Sequence, residues 1–525
     1  MSQSVASAVA AELADGGVKK AFGVPGGEVL SLMLELRGAG VDFVLCGHES
    51  AAGMAASAYG KLTGAPGLAI STLGPGASNL LLPIANAQLD REALIGICGD
   101  LPAGYPRAHT HQRMPLLDIY RPITKSCEAL KPDTARAAIR RAIAATTSRP
   151  AGSAVLTLSS DDAAAEAAEA GPPTSTLNTR GVDPEEAARR IVARMREAQR
   201  PLIVVGQEVP PEASGQLRRW LQRWELPFAV TPKAKGLADE SSPAFVGVLD
   251  GAGLLDVMRD AIAASDLIVG VGLDQVELIQ TWHTSAPMLW LREIGELDAA
   301  PPSHDLVQAS IATILDLLEE HDAPAQWEDV FDEARQRRRQ ASLAPGAPTW
   351  IPASVRAGAQ TDTILTTDVG SHKCLFSQYW STDVPGSFLT SNGLSAMGYG
   401  LPAAIGAKLA RPQKSVIAVL GDGGFAMTGA ELETAVRAGA PVVVIVVVDG
   451  SLSLIRALQR RRGFPTYGVD FGRVDVCKVA EGYGAAAVTA STPDKLSAAV
   501  SAGLRSDFPT VIAVPLDPDS YAAIL

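Results

Sequence analysis

Two aspartates at the ends of two apolar runs carry the most chemistry in this sequence. Gly421-Asp422-Gly423 follows Val416-Ile417-Ala418-Val419-Leu420, and Asp449-Gly450 follows Pro441-Val442-Val443-Val444-Ile445-Val446-Val447-Val448. Each run has the length and β-branched content of a buried strand. Between them, 429–440 reads as a helix with Leu432, Ala435 and Val436 on one face. The pattern predicts a strand–helix–strand crossover with an acid at the carboxyl end of each of two parallel strands, where open α/β sheets bind ligands. Two carboxylates beside glycine amides suit a hard divalent cation that bridges to phosphate. Mg²⁺ takes oxygen ligands and commonly uses one or two carboxylates plus phosphate oxygens. A lone Gly-Asp-Gly reads first as a tight turn; the second acid, 27 residues on (422 to 449), favours the metal.

Such acids need a sheet to hold them, and the rest of the chain supplies three. In the first block, Ala21-Phe22-Gly23-Val24, Asp42-Phe43-Val44-Leu45, Gly67-Leu68-Ala69-Ile70-Ser71, Ala93-Leu94-Ile95-Gly96-Ile97 and Ala154-Val155-Leu156-Thr157-Leu158 are strand-like. They alternate with alanine-rich helical segments, which predicts a parallel βα array. The middle block repeats the pattern with Pro201-Leu202-Ile203-Val204-Val205-Gly206 and Leu267-Ile268-Val269-Gly270-Val271-Gly272. The last block opens with Thr363-Ile364-Leu365-Thr366-Thr367 and closes with Thr510-Val511-Ile512-Ala513-Val514. Two stretches, 159–181 and 322–352, have linker-like composition. The expected fold is therefore α/β, with three doubly wound parallel-sheet domains at 1–170, 171–340 and 341–525.

Bulk properties agree. The 525 residues exceed one ordinary core, and 47% hydrophobic against 19% charged residues can fill large buried sheets. A net charge of −12 argues against nucleic acid or anionic membrane as partner. The arginines at 456, 460, 461 and 462 read as a solvated helix face. Five cysteines (46, 98, 127, 374, 477) show no CxxC or metal-like spacing, and read as buried thiols of a reducing cytoplasm. Glu12 and Asp15 interrupt the first apolar stretch, which predicts an amphipathic helix instead of a signal peptide. The longest apolar run falls far short of the ~20 residues a membrane span needs.

The Gly-Asp-Gly spacing resembles the diphosphate signature of thiamine diphosphate enzymes, and other motifs resemble the acetolactate synthase branch in the same order. Ser391-Asn392-Gly393-Leu394-Ser395-Ala396-Met397-Gly398-Tyr399-Gly400 looks like that branch's aminopyrimidine segment. Val24-Pro25-Gly26-Gly27 and Gly47-His48-Glu49 look like the opposite wall of the site, and Gly74-Pro75-Gly76-Ala77-Ser78-Asn79 like its Gly-Pro-Gly loop. Asp368-Val369-Gly370-Ser371-His372-Lys373 sits where the family contacts the diphosphate.

The resemblance implies roles. Glu49, which alone would read as an acid at a helix N-terminus, would hydrogen-bond the aminopyrimidine and do general acid–base work. Met397, otherwise core filler, would be the apolar wedge that bends the cofactor and so supplies proximity. The carbonyl of Ser395 would accept from the 4′-amino group, at a position where many relatives have glycine. Asp422, Asp449 and the carbonyl of Ser451 would bind Mg²⁺; the sequence has Val448-Asp449 where most relatives carry Asn-Asn. Amides of Gly423, Gly424, Ser371 and His372 would meet phosphate oxygens, with Gly370, Gly421, Pro25, Gly26, Gly76 and Asn79 completing the cofactor site.

On the substrate side, Gln112 matches a glutamine facing the reacting carbon, flanked by His111 and Arg113 where the family has Phe and Glu. With His109, His111 could deliver a proton, as histidines of pyruvate-type decarboxylases do, or belong to a polar loop. Leu458 falls where biosynthetic acetolactate synthases carry a tryptophan that selects 2-oxobutyrate. The expected activity is decarboxylation of a 2-oxo acid and transfer of the acyl unit to a carbonyl acceptor. Simple 2-oxo acid decarboxylation, cleavage of a 2-hydroxy ketone or 2-hydroxyacyl thioester, and a non-catalytic cofactor-binding role are the alternatives. Lys233-Ala234-Lys235-Gly236 leaves FAD, another nucleotide or nothing open for the central domain. Glu49 and Asp422 lie in different domains yet must touch one cofactor; the resemblance implies that the first domain of one subunit pairs with the third of another, and so a homodimer or homotetramer.

Overall fold

The computed structural model describes residues 3–106, 108–169, 181–279, 282, 284–295, 305–323, 327–328, 330–472 and 474–525. It contains three six-stranded sheets, and every strand pair in them is parallel. In space the first sheet runs Asp42–Leu45, Lys20–Val24, Gly67–Ser71, Leu94–Asp100, Ser153–Ser159, Ser126–Ala129. The third runs Phe388–Thr390, Ile364–Thr367, Val416–Gly421, Val443–Val448, Thr510–Pro515, Ala486–Thr489. Numbered along the chain within each sheet, both have the order 2-1-3-4-6-5. The middle sheet, from Pro201–Val205 to Asp305–Gln308, has the order 3-2-1-4-5-6.

The strand Val443–Val448 shows why the pattern was legible. Helices cover both faces of a parallel sheet, so its central strands are buried on both sides and read as continuous valine and isoleucine. Edge strands lack that signature: Ser126–Ala129 is only half-buried and Ala486–Thr489 partly exposed, and neither stands out in sequence.

The first and third domains meet through helices of small residues. Glu49–Thr63 packs on Gly400–Ala410 so closely that a Cβ on Gly406 would lie 2.1 Å from the Ala55 carbonyl. Glycine there permits the approach that positions Glu49's helix.

Several expectations need correction. The 322–352 stretch is not a bare linker: it carries the helix Asp332–Leu343, whose Arg338 stacks on Phe245 and Tyr379, and the start of Trp350–Gly358. The helix expected at 429–440 is present but shorter, Glu431–Arg437, and an unexpected one, Asp422–Thr428, precedes it and begins at the aspartate itself. The basic run is not simply solvated, since Arg456 pairs with Asp470 and Asp519, and Arg460 with Asp519. Two of the five free cysteines, Cys127 and Cys477, are only partly buried. The first linker carries a helix, Ser160–Ala164, while the boundary expected at 170 lies outside the described residues. No helix among the described residues is long and apolar enough to cross a membrane.

Candidate active site

The first cluster stands at the carboxyl ends of the first sheet's strands. Glu49 opens the helix Glu49–Thr63, capped by His48, whose Nδ1 accepts from the Ser50 amide. Glu49 is 7% exposed. Asn79, in the second turn of Pro75–Asp90, donates from Nδ2 to Glu49 Oε2 at 2.9 Å. Gly76 has to be glycine, because a Cβ would sit 2.9 Å from Glu49 Oε1 and 2.8 Å from the Thr72 methyl. Gly26 is similarly constrained, 2.2 Å from Thr72 Oγ1, and Pro25 beside it is exposed. The structure thus brings Glu49, Asn79, Gly76 and, through Thr72, Gly26 together.

The second cluster stands at the same end of the third sheet. Asp422 accepts from the amides of Gly423 (2.8 Å) and Gly450 (2.7 Å), which locks the Gly-Asp-Gly turn to the Asp449 turn. Asp449 accepts from the Ser451 amide at 3.0 Å. Burial, with the neighbouring Asp422 charge adding to it, pushes Asp449 up to about 6 against hydrogen bonds from Ser453 and Ser451; burial also raises Asp422. Two crowded, raised carboxylates are short of positive charge, which a divalent cation would supply. Among the described residues no group of three or more His, Cys, Asp and Glu forms a metal cluster. The donor set is thus a carboxylate pair that needs further oxygens, which fits Mg²⁺ with phosphate.

Alongside, the helix Ser371–Tyr379 begins at Gly370 and points its first turn at this region. Ser371 Oγ and His372 Nε2 are buried without a protein partner, as expected where polar donors await a ligand. Burial drops His372 to about 4, so it is neutral, and its ring lies against Gly421, 3.2 Å from where a Cβ would be. Gly424 faces Asp368, whose Oδ2 would lie 2.4 Å from a Cβ. The Gly423 amide is already engaged by Asp422, which weakens the expectation that it meets phosphate.

Ser395 is exposed with φ 53°, in the left-handed region that glycine enters without strain. That is the physical reason for glycine at such a position; here Ser395 Oγ donates to the Asn392 carbonyl at 3.0 Å and steadies the turn. Met397 is half-buried two residues on. Sequence reasoning missed what fixes this segment. Asp368, fully buried after Ile364–Thr367, accepts from the Val369 amide at 2.7 Å and from the Gly398 amide at 2.9 and 3.1 Å. Burial raises Asp368 to about 6 despite those amides and the ones of Tyr399 and Gly400. An aspartate directly after a buried strand was the available signal.

On the substrate side, Gln112 is exposed with φ 55°, and its Cβ lies 2.9 Å from where Gly74 would carry one, so it abuts the Gly-Pro-Gly loop. His111 and His109 are exposed beside it. Arg113 clips the loop from within, donating to the carbonyls of His109, Tyr105 and Pro106 and lying over the Tyr105 ring. Separately, a cavity of about 320 Å³ lies along the helix Ser453–Arg461. Leu454, Leu458 and Arg461 line it from that helix, with Leu255 and Tyr521 opposite.

The comparisons with known proteins agree with this architecture. Residues 3–120 match the N-terminal TPP binding domain of thiamine pyrophosphate enzymes, 188–293 their central domain and 368–514 their C-terminal TPP binding domain. A probable acetolactate synthase large subunit of Methanocaldococcus jannaschii is 30% identical, covering 98% of this chain and 92% of its own. The acetolactate synthase of Bacillus subtilis is 29% identical (96% and 92%), and the isozyme 2 large subunit of Escherichia coli 28% (95% and 93%). The chain belongs to the thiamine pyrophosphate enzyme family. Within it, this is an acetolactate synthase-like enzyme that depends on thiamine diphosphate.

Proposed function

We propose that the enzyme, with Mg²⁺, decarboxylates a 2-oxo acid and transfers the acyl unit to a carbonyl acceptor. The observation that carries the proposal is the pairing of a buried, amide-oriented Glu49 at one sheet's edge with the Asp422–Asp449 carboxylates at another's. Bound between them, thiamine diphosphate would supply the electron sink for breaking and making the carbon–carbon bond. Asp422, Asp449 and the Ser451 carbonyl would hold the metal. Ser371 and His372, with the Gly370 and Gly421 backbone, would hold the diphosphate. Glu49 would keep a proton at the ring nitrogen it faces, with Asn79 fixing the carboxyl's orientation. Met397 would prop the bent shape, and the Ser395 carbonyl would accept from the ring amine. Gln112 and His111 would face the reacting carbon.

Two chains would build each site. Asn79, bonded to Glu49, and Asp90, bonded to the Asn392 and Gly393 amides, lie at opposite ends of one helix. Eleven residues of helix separate them, about 16 Å at ~1.5 Å per residue. Among the described residues no hydrogen bond joins the Glu49 cluster to Ser395, Met397 or Asp422. A partner subunit related by a symmetric interface would close that gap. We assign 1–170, 171–340 and 341–525 as the pyrimidine-binding, central and diphosphate-binding units. The free cysteines support a cytoplasmic setting. For the central unit we favour no FAD or other nucleotide. The carboxyl ends of its middle strands, where a dinucleotide would lie, are filled by an ion chain of Arg91, Asp274, Arg292 and Glu208.

Incubation with thiamine diphosphate, Mg²⁺ and a panel of 2-oxo acids tests the reading, following CO₂ and product masses. Release of CO₂ with a carboligated product is expected; CO₂ with aldehyde alone would favour simple decarboxylation, for which the exposed His111 speaks. No turnover of any 2-oxo acid would leave the lyase or non-catalytic reading.

A further inference from the structure

Asp90, Arg91 and Glu92 form a turn at the end of the helix Pro75–Asp90, and each makes a buried ionic contact. Arg91 holds φ 56° and grips Asp274 of the middle sheet through two hydrogen bonds, at 2.8 and 3.1 Å. Lys233, 7% exposed overall with its side chain at 1%, enters from the central domain. Its Nζ lies 2.7 Å from the Asp90 carbonyl, 3.2 Å from Asp90 Oδ1 and 3.1 Å from Glu92 Oε1. The same Asp90 Oδ1 accepts from the amides of Asn392 and Gly393 at 2.9 and 2.8 Å, in the third domain. Gly393 presses so tightly on this turn that a Cβ would be 2.4 Å from the Leu89 carbonyl. One carboxylate oxygen therefore meets all three domains.

We infer that Lys233 and Asp90 are positioning residues for the cofactor-facing segment, through which the central domain sets the register of Ser395 and Met397. The inference rests on the proposed reading that this segment faces thiamine diphosphate. The linkage is short. Asp90 pins the amides of residues 392 and 393, Asn392's carbonyl receives the Ser395 hydroxyl, and Ser391 Oγ accepts from the Ala396 amide at 2.8 Å while donating to Asn86. Lys373 holds the segment's other side through the Ser391 carbonyl and Asn392 Oδ1. The charges balance: Asp90 and Glu92 face Lys233 and Lys61, and Ser57 donates to Glu92. Burial alone would lower Lys233, but the two carboxylates raise it above its ordinary value, so it stays charged where it is needed. A buried ion pair adds little net stability over apolar side chains of the same volume, because desolvation offsets the attraction.

The test compares Lys233→Met with the double variant Lys233→Met/Glu92→Gln. The single variant strands two buried carboxylates, which threatens folding; the double variant keeps one cation, Lys61, for the one remaining carboxylate, Asp90, and so restores neutrality. Each full-length protein is melted without cofactor, titrated with thiamine diphosphate and Mg²⁺ by calorimetry, and scanned by near-ultraviolet circular dichroism once loaded. The expected result is a double variant with near-native melting, an altered circular dichroism signal, and kcat roughly tenfold to a hundredfold lower with KM for the 2-oxo acid little changed, as a misplacement near 1 Å produces. A double variant with native melting, native signal and native kcat would overturn the inference and leave Lys233 a structural charge. Met397→Ala serves as the control. An unaltered signal there would overturn the reading of the segment itself, whereas an altered signal there with a native double variant overturns only the role of Lys233.

Discussion

The first and third sheets share one strand order, 2-1-3-4-6-5, and both gather their functional residues at the carboxyl ends of the strands. Their chemistry nevertheless differs. Among the first sheet's carboxylates, Glu49 is sheltered from water and held by a neutral amide, and Glu28 accepts from the Thr72 hydroxyl. The third presents two, Asp422 and Asp449, crowded together with unpartnered donors nearby. After the first strand, the first sheet carries Pro25-Gly26 and the third carries Asp368, buried under four backbone amides. A shared topology thus sets where ligands go, and only the residues grafted onto the strand ends decide what each wall does. On the proposed reading, one wall would handle a proton and the other charge.

Separating the two walls by mutation gives the largest expected effect. Glu49→Gln keeps the shape of the first wall, so cofactor affinity should hold while turnover falls on the order of 10²–10⁴-fold. Exchange of the cofactor's reactive ring proton, followed by NMR, checks this; wild-type exchange would refute the assignment. Asp422→Ala should do the opposite. Losing a metal oxygen should weaken Mg²⁺-dependent cofactor binding roughly a hundredfold or more while the unliganded protein melts as before. Unchanged affinity in calorimetry would move the metal elsewhere.

Mixing the two inactive proteins then asks whether the walls come from one chain or two. If each site pairs Glu49 of one subunit with Asp422 of another, subunit exchange should restore about a quarter of wild-type turnover, because half the dimers are mixed and each has one intact site. No recovery after proven exchange would put both walls in a single chain. A smaller effect is expected at the mouth of the first wall. His111→Phe removes an exposed proton donor beside Gln112, and should raise the ratio of carboligated product to aldehyde a few-fold. An unchanged ratio at preserved turnover would leave His111 a loop residue.

The smallest difference concerns pH. Burial works against Glu92 in the first domain, but Lys233, Lys61 and Ser57 outweigh it and bring it down to about 2. Its contribution to stability is present above its ordinary 4.5 and lost as pH falls through about 2. Asp368 is raised from 3.8 to about 6, so its contribution is present below 3.8 and lost as pH rises through about 6. Melting Asp368→Asn between pH 4 and 7 should show a flatter decline with rising pH than the wild type. Parallel slopes would mean that Asp368 does not titrate in this window.

By itself, the sequence determined the fold class, the buried strands and the motifs at their ends. Those depend on local composition: a strand covered on both faces has to be apolar throughout, and an acid after it has to lie at the sheet's edge, as Val443–Val448 and Asp449 do. The edge strands Ser126–Ala129 and Ala486–Thr489 and the helices within 322–352 were not legible, because their stability comes from neighbours distant in the chain. Nor could the sequence foretell that Asp368 clamps Gly398, or that Asp90 joins Lys233 to Asn392 and Gly393. These are contacts between residues tens to hundreds of positions apart, and a charge is worth burying only when folding brings it a partner. Tertiary structure alone decided which of the chain's many charges became that kind of contact.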